Sequence, residues 1–209
     1  MRSVKVVLNS GGLSLEARLE LPGNPGPCPG VVLCHPHPLY GGNMDNNVIL
    51  AVGRALAGAG IASLRFNFRG VGRSWGSFDN GVGEREDARS ALDFLTAHEE
   101  IHPERIGVMG YSFGGMVALA VAGTDSTVKA VAAVSPVVQS GALRGCVKPK
   151  YIVCGAEDSI IPSSAVLQAA AGMADPKRVE VVPGADHFWW GSEDEMAGKV
   201  AGFFKEFLV

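Results

Sequence analysis

The chain has 209 residues, 47% of them hydrophobic and 19% charged, with a formal net charge of −3. That is a globular composition with enough chain for a sizeable core, arranged as a single domain with no internal repeat, low-complexity tract or linker, and it argues against a disordered tail. No basic stripe stands out, which argues against nucleic acid as a partner, and no run approaches the roughly 20 apolar residues of a membrane span.

The start of the chain lacks the apolar core and small-residue cleavage site of a secretory signal. Cys28, Cys34, Cys146 and Cys154 are scattered without metal-type spacing. Together these features predict a cytoplasmic protein with reduced thiols.

Two alternating stretches, 4–8 and 13–21, flank Asn9-Ser10-Gly11-Gly12 and predict a β-hairpin, because Asn and Gly tolerate the positive φ of a tight turn. A Pro/Gly-rich connection, 22–29, leads to a continuous apolar run at 30–34, as expected for a strand buried on both faces. Strands and helices then alternate. Helices are predicted at 47–59, 84–97, 114–123, 163–174 and 193–207, and strands at 61–68, 105–110, 128–134, 151–154 and 178–182. Repeated βα units imply an α/β fold: a mostly parallel central sheet with helices on both faces and the hairpin as an antiparallel edge. The connection 135–150 is short and contains Pro136, Gly141, Gly145 and Pro149, so no large lid is expected over the sheet.

Four segments carry chemistry. Gly110-Tyr111-Ser112-Phe113-Gly114 lies between a predicted strand and a predicted helix. In that setting a G-x-S-x-G pattern makes a sharp turn that lifts the serine hydroxyl clear of the sheet, with the helix N-terminus behind it. Ser112 is therefore the candidate nucleophile. Outside the strand–turn–helix setting the same pattern would be an ordinary glycine-rich turn. Gly155-Ala156-Glu157-Asp158 follows a strand, at the sheet end where α/β folds build their sites. Asp158 is the candidate acid, with Glu157 as the alternative. Gly184-Ala185-Asp186-His187-Phe188 places His187 on a loop after the next strand. A loop histidine alone means little, but the chain order Ser112, Asp158, His187 is that of an α/β-hydrolase triad. Asp186 is a weaker candidate acid, because neighbouring side chains diverge.

The fourth segment is Cys34-His35-Pro36-His37-Pro38-Leu39-Tyr40-Gly41-Gly42. An oxyanion hole needs two N–H donors. The first should come from Phe113, next to the nucleophile, and the second from this loop. Pro36 and Pro38 have no N–H, which leaves His37, Leu39 or Tyr40, with His37 fitting best and Tyr40 as the alternative. His35 and His37 lack a third metal ligand, so neither a metal nor a cofactor is expected. Tyr40, Tyr111, Phe113, Phe188, Trp189 and Trp190 flank these loops and are candidate pocket walls, with a core role equally open to Trp189 and Trp190. Trp75 is a candidate to close over the site.

The segments CHPHPLYGGNMDN at 34–46, RFNFRGVGRS at 65–74, GYSFGG at 110–115, GAED at 155–158 and GADHFW at 184–189 resemble the small bacterial dienelactone-hydrolase-like members of the α/β-hydrolase superfamily. The resemblance covers essentially the whole chain. Dienelactone hydrolases proper use a cysteine nucleophile, whereas position 112 is Ser. The resemblance thus implies a serine carboxylesterase cleaving small acyl esters. A peptidase or thioesterase on the same triad is the alternative, and a non-catalytic binding module that kept the fold is a third. The sequence does not decide between monomer and homodimer.

Overall fold

A computed structural model of the chain describes residues 1–23, 26–139 and 141–209. Asn24 and Pro25 of the 22–29 connection and Ser140 of the 135–150 connection lie outside the described residues. The first hairpin joins β1 (Arg2–Ser10) to β2 (Leu13–Leu21). Its turn is tighter than the four-residue one expected: Ser10 pairs directly with Leu13, and Gly11 and Gly12 take φ of +56° and +90°. The Asn9 side chain accepts a hydrogen bond from the Gly12 N–H at 3.0 Å.

The remaining elements are β3 (Cys28–Cys34), α1 (Asn47–Gly58), β4 (Ala62–Phe66), α2 (Val82–Ala97), β5 (Ile101–Tyr111), α3 (Phe113–Thr124), β6 (Val128–Val134), β7 (Lys150–Gly155), α4 (Ser163–Ala171), β8 (Lys177–Val182) and α5 (Glu193–Leu208). They form an eight-stranded sheet in the order β1-β2-β4-β3-β5-β6-β7-β8. The β1–β2 and β2–β4 pairs are antiparallel and the others parallel, as expected. Several boundaries differ from the pattern, α4 ending at Ala171 instead of 174 among them, and two of the differences have a visible cause. Strand β5 starts four residues earlier than the apolar run at 105–110, because Ile101 pairs with Cys28 across an irregularity in register. Strand β4 stops at Phe66, since Asn67 and Phe68 turn away to bond Glu16 and His35.

Apolar side chains cover both faces of the sheet. Val48, Ile49, Val52 and Leu56 of α1 pack with Val200, Phe203 and Phe204 of α5 on one face. Leu92 and Leu95 of α2, Val117 and Val121 of α3, and Val166 of α4 cover the other. Among the described residues of the β6–β7 connection there is no helix or strand, so no lid lies over the C-terminal ends of the strands. No helix among the described residues is long and apolar enough to cross a membrane. The four cysteines are free, and Cys28, Cys34 and Cys154 are buried strand residues.

The RFNFRGVGRS segment ties the hairpin to the loops beyond the sheet. The Asn67 side chain donates to Glu16 at 2.8 Å and accepts from the Met44 N–H at 2.8 Å. Ser74 donates to the Asn67 carbonyl at 2.6 Å. Arg65 pairs with Glu20 and Asp45. Arg69 grips fully buried Asp87 of α2 through Nε and Nη2, with Nη2 at 2.8 Å from Oδ1. The same carboxylate accepts from the Arg69 N–H and from Ser10. A carboxylate buried this deeply needs all of these donors. Asp87→Ala would strand the guanidinium, and urea unfolding should show a loss of about 3–5 kcal/mol. A loss below about 1 kcal/mol, the level of an exposed pair, would contradict this role.

Candidate active site

The site lies at the C-terminal ends of β3, β5, β7 and β8. Ser112 sits between β5 and α3 with φ 55° and ψ −116°, a strained conformation for a residue with a Cβ. Its N–H donates to the Val134 carbonyl at 2.9 Å, which holds the turn in place. The flanking glycines answer a packing demand. A Cβ at Gly110 would lie 2.0 Å from the Gly114 carbonyl oxygen, and one at Gly114 would lie 2.2 Å from that of Cys34. Strand, helix and the loop after β3 therefore approach so closely that only hydrogen fits.

Ser112, Asp158 and His187 converge, and all three are buried. Ser112 Oγ lies 3.2 Å from His187 Nε2, and His187 Nδ1 lies 2.7 Å from Asp158 Oδ2. With the Asp158 carboxylate accepting at Nδ1, Nε2 is left to accept from the serine hydroxyl. The other carboxylate oxygen of Asp158 accepts from the N–H groups of Ile160 and Ile161 at 3.0 and 2.7 Å. The loops that carry the acid and the base are laced together. The Glu157 N–H donates to the Ala185 carbonyl at 2.9 Å, and a Cβ at Gly155 would meet that carbonyl oxygen at 2.1 Å.

The other two carboxylates lie elsewhere. Glu157 is exposed, and Asp186 caps its own turn by accepting from the N–H groups of Phe188 and Trp189 at 2.9 and 2.8 Å. Phe113 opens α3, so its N–H falls in the first turn, where a helix supplies no internal partner. In the loop after β3, the Tyr40 N–H donates to the His37 carbonyl at 3.1 Å and the Leu39 N–H to His37 Nδ1 at 3.2 Å. Both are thereby engaged, which removes Tyr40 as the alternative donor. Among the described residues no acceptor is found for the His37 N–H. A Cβ at Gly42 would lie 2.1 Å from the Pro36 carbonyl oxygen, so this loop also folds around a glycine.

A cavity of about 350 Å³ opens above Ser112. Pro36, His37, Tyr40, Asn46, Tyr111, Ile160, His187 and Phe188 line it, with Gly41 and Gly42. A groove of about 530 Å³ along α3 touches none of Ser112, Asp158 and His187. Of the candidate wall residues, Tyr40, Tyr111 and Phe188 line the cavity and Phe113 does not, while Ile160 joins them. No motif marks Ile160, because its place follows from the loop that Asp158 organises.

None of the three tryptophans lines the cavity, and of the two roles open to Trp189 it takes the core one. Trp189 is fully buried: its turn, at φ 62°, drives the indole into the layer under α5, where Nε1 donates to Ser135 Oγ at 3.2 Å. Trp190 points to solvent and does not line the cavity. Trp75 is also exposed and outside the cavity, because its backbone is held at the start of β2 through the Ser14 carbonyl.

His35 takes a different part from His37. It is fully buried, with Nδ1 donating to the Pro36 carbonyl at 2.6 Å and Nε2 accepting from the Phe68 N–H at 3.1 Å. Both ring nitrogens are spent on backbone, so neither faces a ligand. Burial pushes the imidazole down from 6.5 to about 4.

Residues 11–152 match the model of a family described as X-Pro dipeptidyl-peptidase (S15 family). Over 180 residues the chain is 34% identical to uncharacterized protein RP471 of Rickettsia prowazekii, covering 81% of this chain and 75% of that one. An alpha-beta serine hydrolase homologue from Coxiella burnetii superposes with a TM-score of 0.87 at 31% identity, covering 97% of each chain. XC6422 from Xanthomonas campestris, described as an a/b serine hydrolase without lid, superposes with a TM-score of 0.86 at 26% identity, covering 100% of this chain and 96% of that one.

Sheet order, serine turn and lid-less sheet end together define a hydrolase of the α/β class, similar to the small dienelactone-hydrolase-like proteins. Within that class, the chain belongs to the S15 family.

The site's scaffold should respond to pH through His35. Neutral His35 contributes its full stability above pH 6.5, and that contribution is lost as pH falls from 6.5 toward 4, where the unfolded chain binds the proton first. The slope should reach about 1.4 kcal/mol per pH unit in urea titrations, and His35→Gln should flatten it. An equal slope in both proteins would contradict the buried neutral imidazole.

Proposed function

We propose that this chain is a serine carboxylesterase acting on small uncharged acyl esters. The observation that carries the reading is the contact chain Ser112–His187–Asp158, at 3.2 and 2.7 Å, whose Ser112 and His187 line the cavity. In the proposed cycle His187 Nε2 takes the hydroxyl proton as Ser112 Oγ attacks the acyl carbon. The N–H groups of Phe113 and His37 stabilise the oxyanion, and His187 then protonates the leaving alcohol. Water, activated by the same imidazole, hydrolyses the acyl-enzyme. Asp158 holds the imidazole in the tautomer that accepts at Nε2.

The family description favours a second reading, a dipeptidyl-peptidase. A peptidase that counts from the substrate's free N-terminus has an ammonium group to hold, for which a carboxylate is the natural partner. Among the described residues lining the cavity there is no Asp, Glu, Lys or Arg. Neutral esters fit that lining better. A panel of short nitrophenyl esters, acyl-CoA thioesters and X-Pro nitroanilides separates the readings. Highest kcat/KM on the esters is expected, whereas preference for the anilides would overturn the esterase reading in favour of the peptidase.

The oxyanion assignment has its own test. His37 has φ −55°, which proline adopts without strain, so His37→Pro removes chiefly an N–H and a side chain. Ester turnover should fall about 100- to 1,000-fold, while His37→Ala, which keeps the N–H, should stay within about 10-fold of the parent. Equal losses in both variants would assign the effect to the imidazole instead.

A further inference from the structure

Tyr111 occupies the variable position of the serine motif, the residue just before Ser112, and its hydroxyl has a partner that the proposed chemistry does not use. Tyr111 Oη donates to the main-chain carbonyl of His187 at 2.7 Å. The phenol is buried, and its ring lies 5.5 Å from the imidazole. Burial, with the Asp158 and Asp186 charges next, pushes the phenol above its usual range, so it remains a protonated donor.

Among the described residues the other hydrogen bonds of His187 are made by its ring, with Nδ1 on Asp158 and Nε2 on Ser112. Neither bond holds the backbone that carries the ring. The residues around His187 are pinned from other elements: Asn47 of α1 donates to the Phe188 carbonyl at 2.9 Å, and the Trp189 indole reaches Ser135 beyond β6. The carbonyl of His187 itself is held from β5.

We propose that Tyr111 is a positioning residue that sets the Ser112–His187 distance by anchoring the His187 backbone to the same dipeptide that carries the nucleophile. The consequence is geometric. Ser112 Oγ and the clamp on His187 are adjacent in the chain, so the clamp ties the 3.2 Å contact to one short segment, in addition to the hydrogen bonds that lace the neighbouring loops. The effect should fall on proton transfer and spare substrate binding, because the hydroxyl is engaged with the His187 carbonyl and its removal leaves the ring in place.

This inference rests on reading Ser112 and His187 as nucleophile and base. The test is Tyr111→Phe, which keeps the ring and removes the donor, measured with a nitrophenyl ester and normalised to sites titrated by a fluorophosphonate. The expected result is a kcat per titrated site about 10- to 100-fold lower, KM within about two-fold, and faster exchange of the low-field His187 Nδ1 proton by NMR. Unchanged kcat per titrated site would overturn the proposal, whether or not the variant is less stable, and so would a change confined to KM. Tyr111→Trp, should Tyr111→Phe fail to fold, retains a donor and a ring, and full activity in it together with a low-field proton exchanging as fast as in a donor-free Tyr111→Leu variant would also overturn it. Ser112→Ala serves as the separate control: persistence of ester turnover there would refute the nucleophile assignment and not merely the clamp.

Discussion

The close approach of three backbone segments around Ser112 is the constraint on which the site depends. Strand β5 must turn into α3 within a single residue, and the loop leaving β3 passes against the first turn of that helix. Hydrogen at positions 110 and 114 allows this, with a prospective Cβ at Gly114 only 2.4 Å from the His35 carbonyl oxygen. The strain at Ser112 is held by the hydrogen bond from its N–H to β6 and by the parallel pairing of β5 with β3 and β6. A rigid sheet thereby supports a residue in a backbone conformation it would not otherwise hold. The serine hydroxyl, the first N–H of the helix and the loop after β3 all arrive at one place as a result.

A second crowding point repeats this logic on the other side. Gly155 lets the loops after β7 and β8 pass at contact distance, and backbone hydrogen bonds then fix Asp158 against the segment that carries His187. The outer network of Arg69, Asp87, Asn67 and Glu16 touches none of the three central residues. It orients the 41–46 and 67–76 segments, and so sets one side of the cavity at Asn46. The rest of the described lining carries no Asp, Glu, Lys or Arg, and the proposed preference for neutral esters rests on that.

Much of this was legible in the sequence because it is encoded locally. Alternation and glycine placement gave the hairpin, apolar runs the buried strands, and motif plus chain order the Ser112, Asp158 and His187 set. The missed features depend on contacts between distant segments. Strand β5 begins at Ile101 through pairing with Cys28, although His102, Pro103 and Glu104 break the apolar pattern. Trp189 looks like a pocket aromatic in sequence, yet a positive φ turns it inward. His35 and His37 look equivalent two residues apart, but one is consumed by backbone and the other borders the cavity. The Tyr111 hydroxyl meets the His187 carbonyl only once β5 and the last loop are folded together.

The central claim is that Ser112 Oγ is the atom that becomes acylated, with His187 as its base. The most direct measurement is intact-mass and peptide mass spectrometry of the protein after reaction with a phosphonate ester. The account predicts one adduct per chain, mapped to Ser112, and almost none in His187→Ala. An adduct on another residue, or equal modification in the histidine variant, would contradict it.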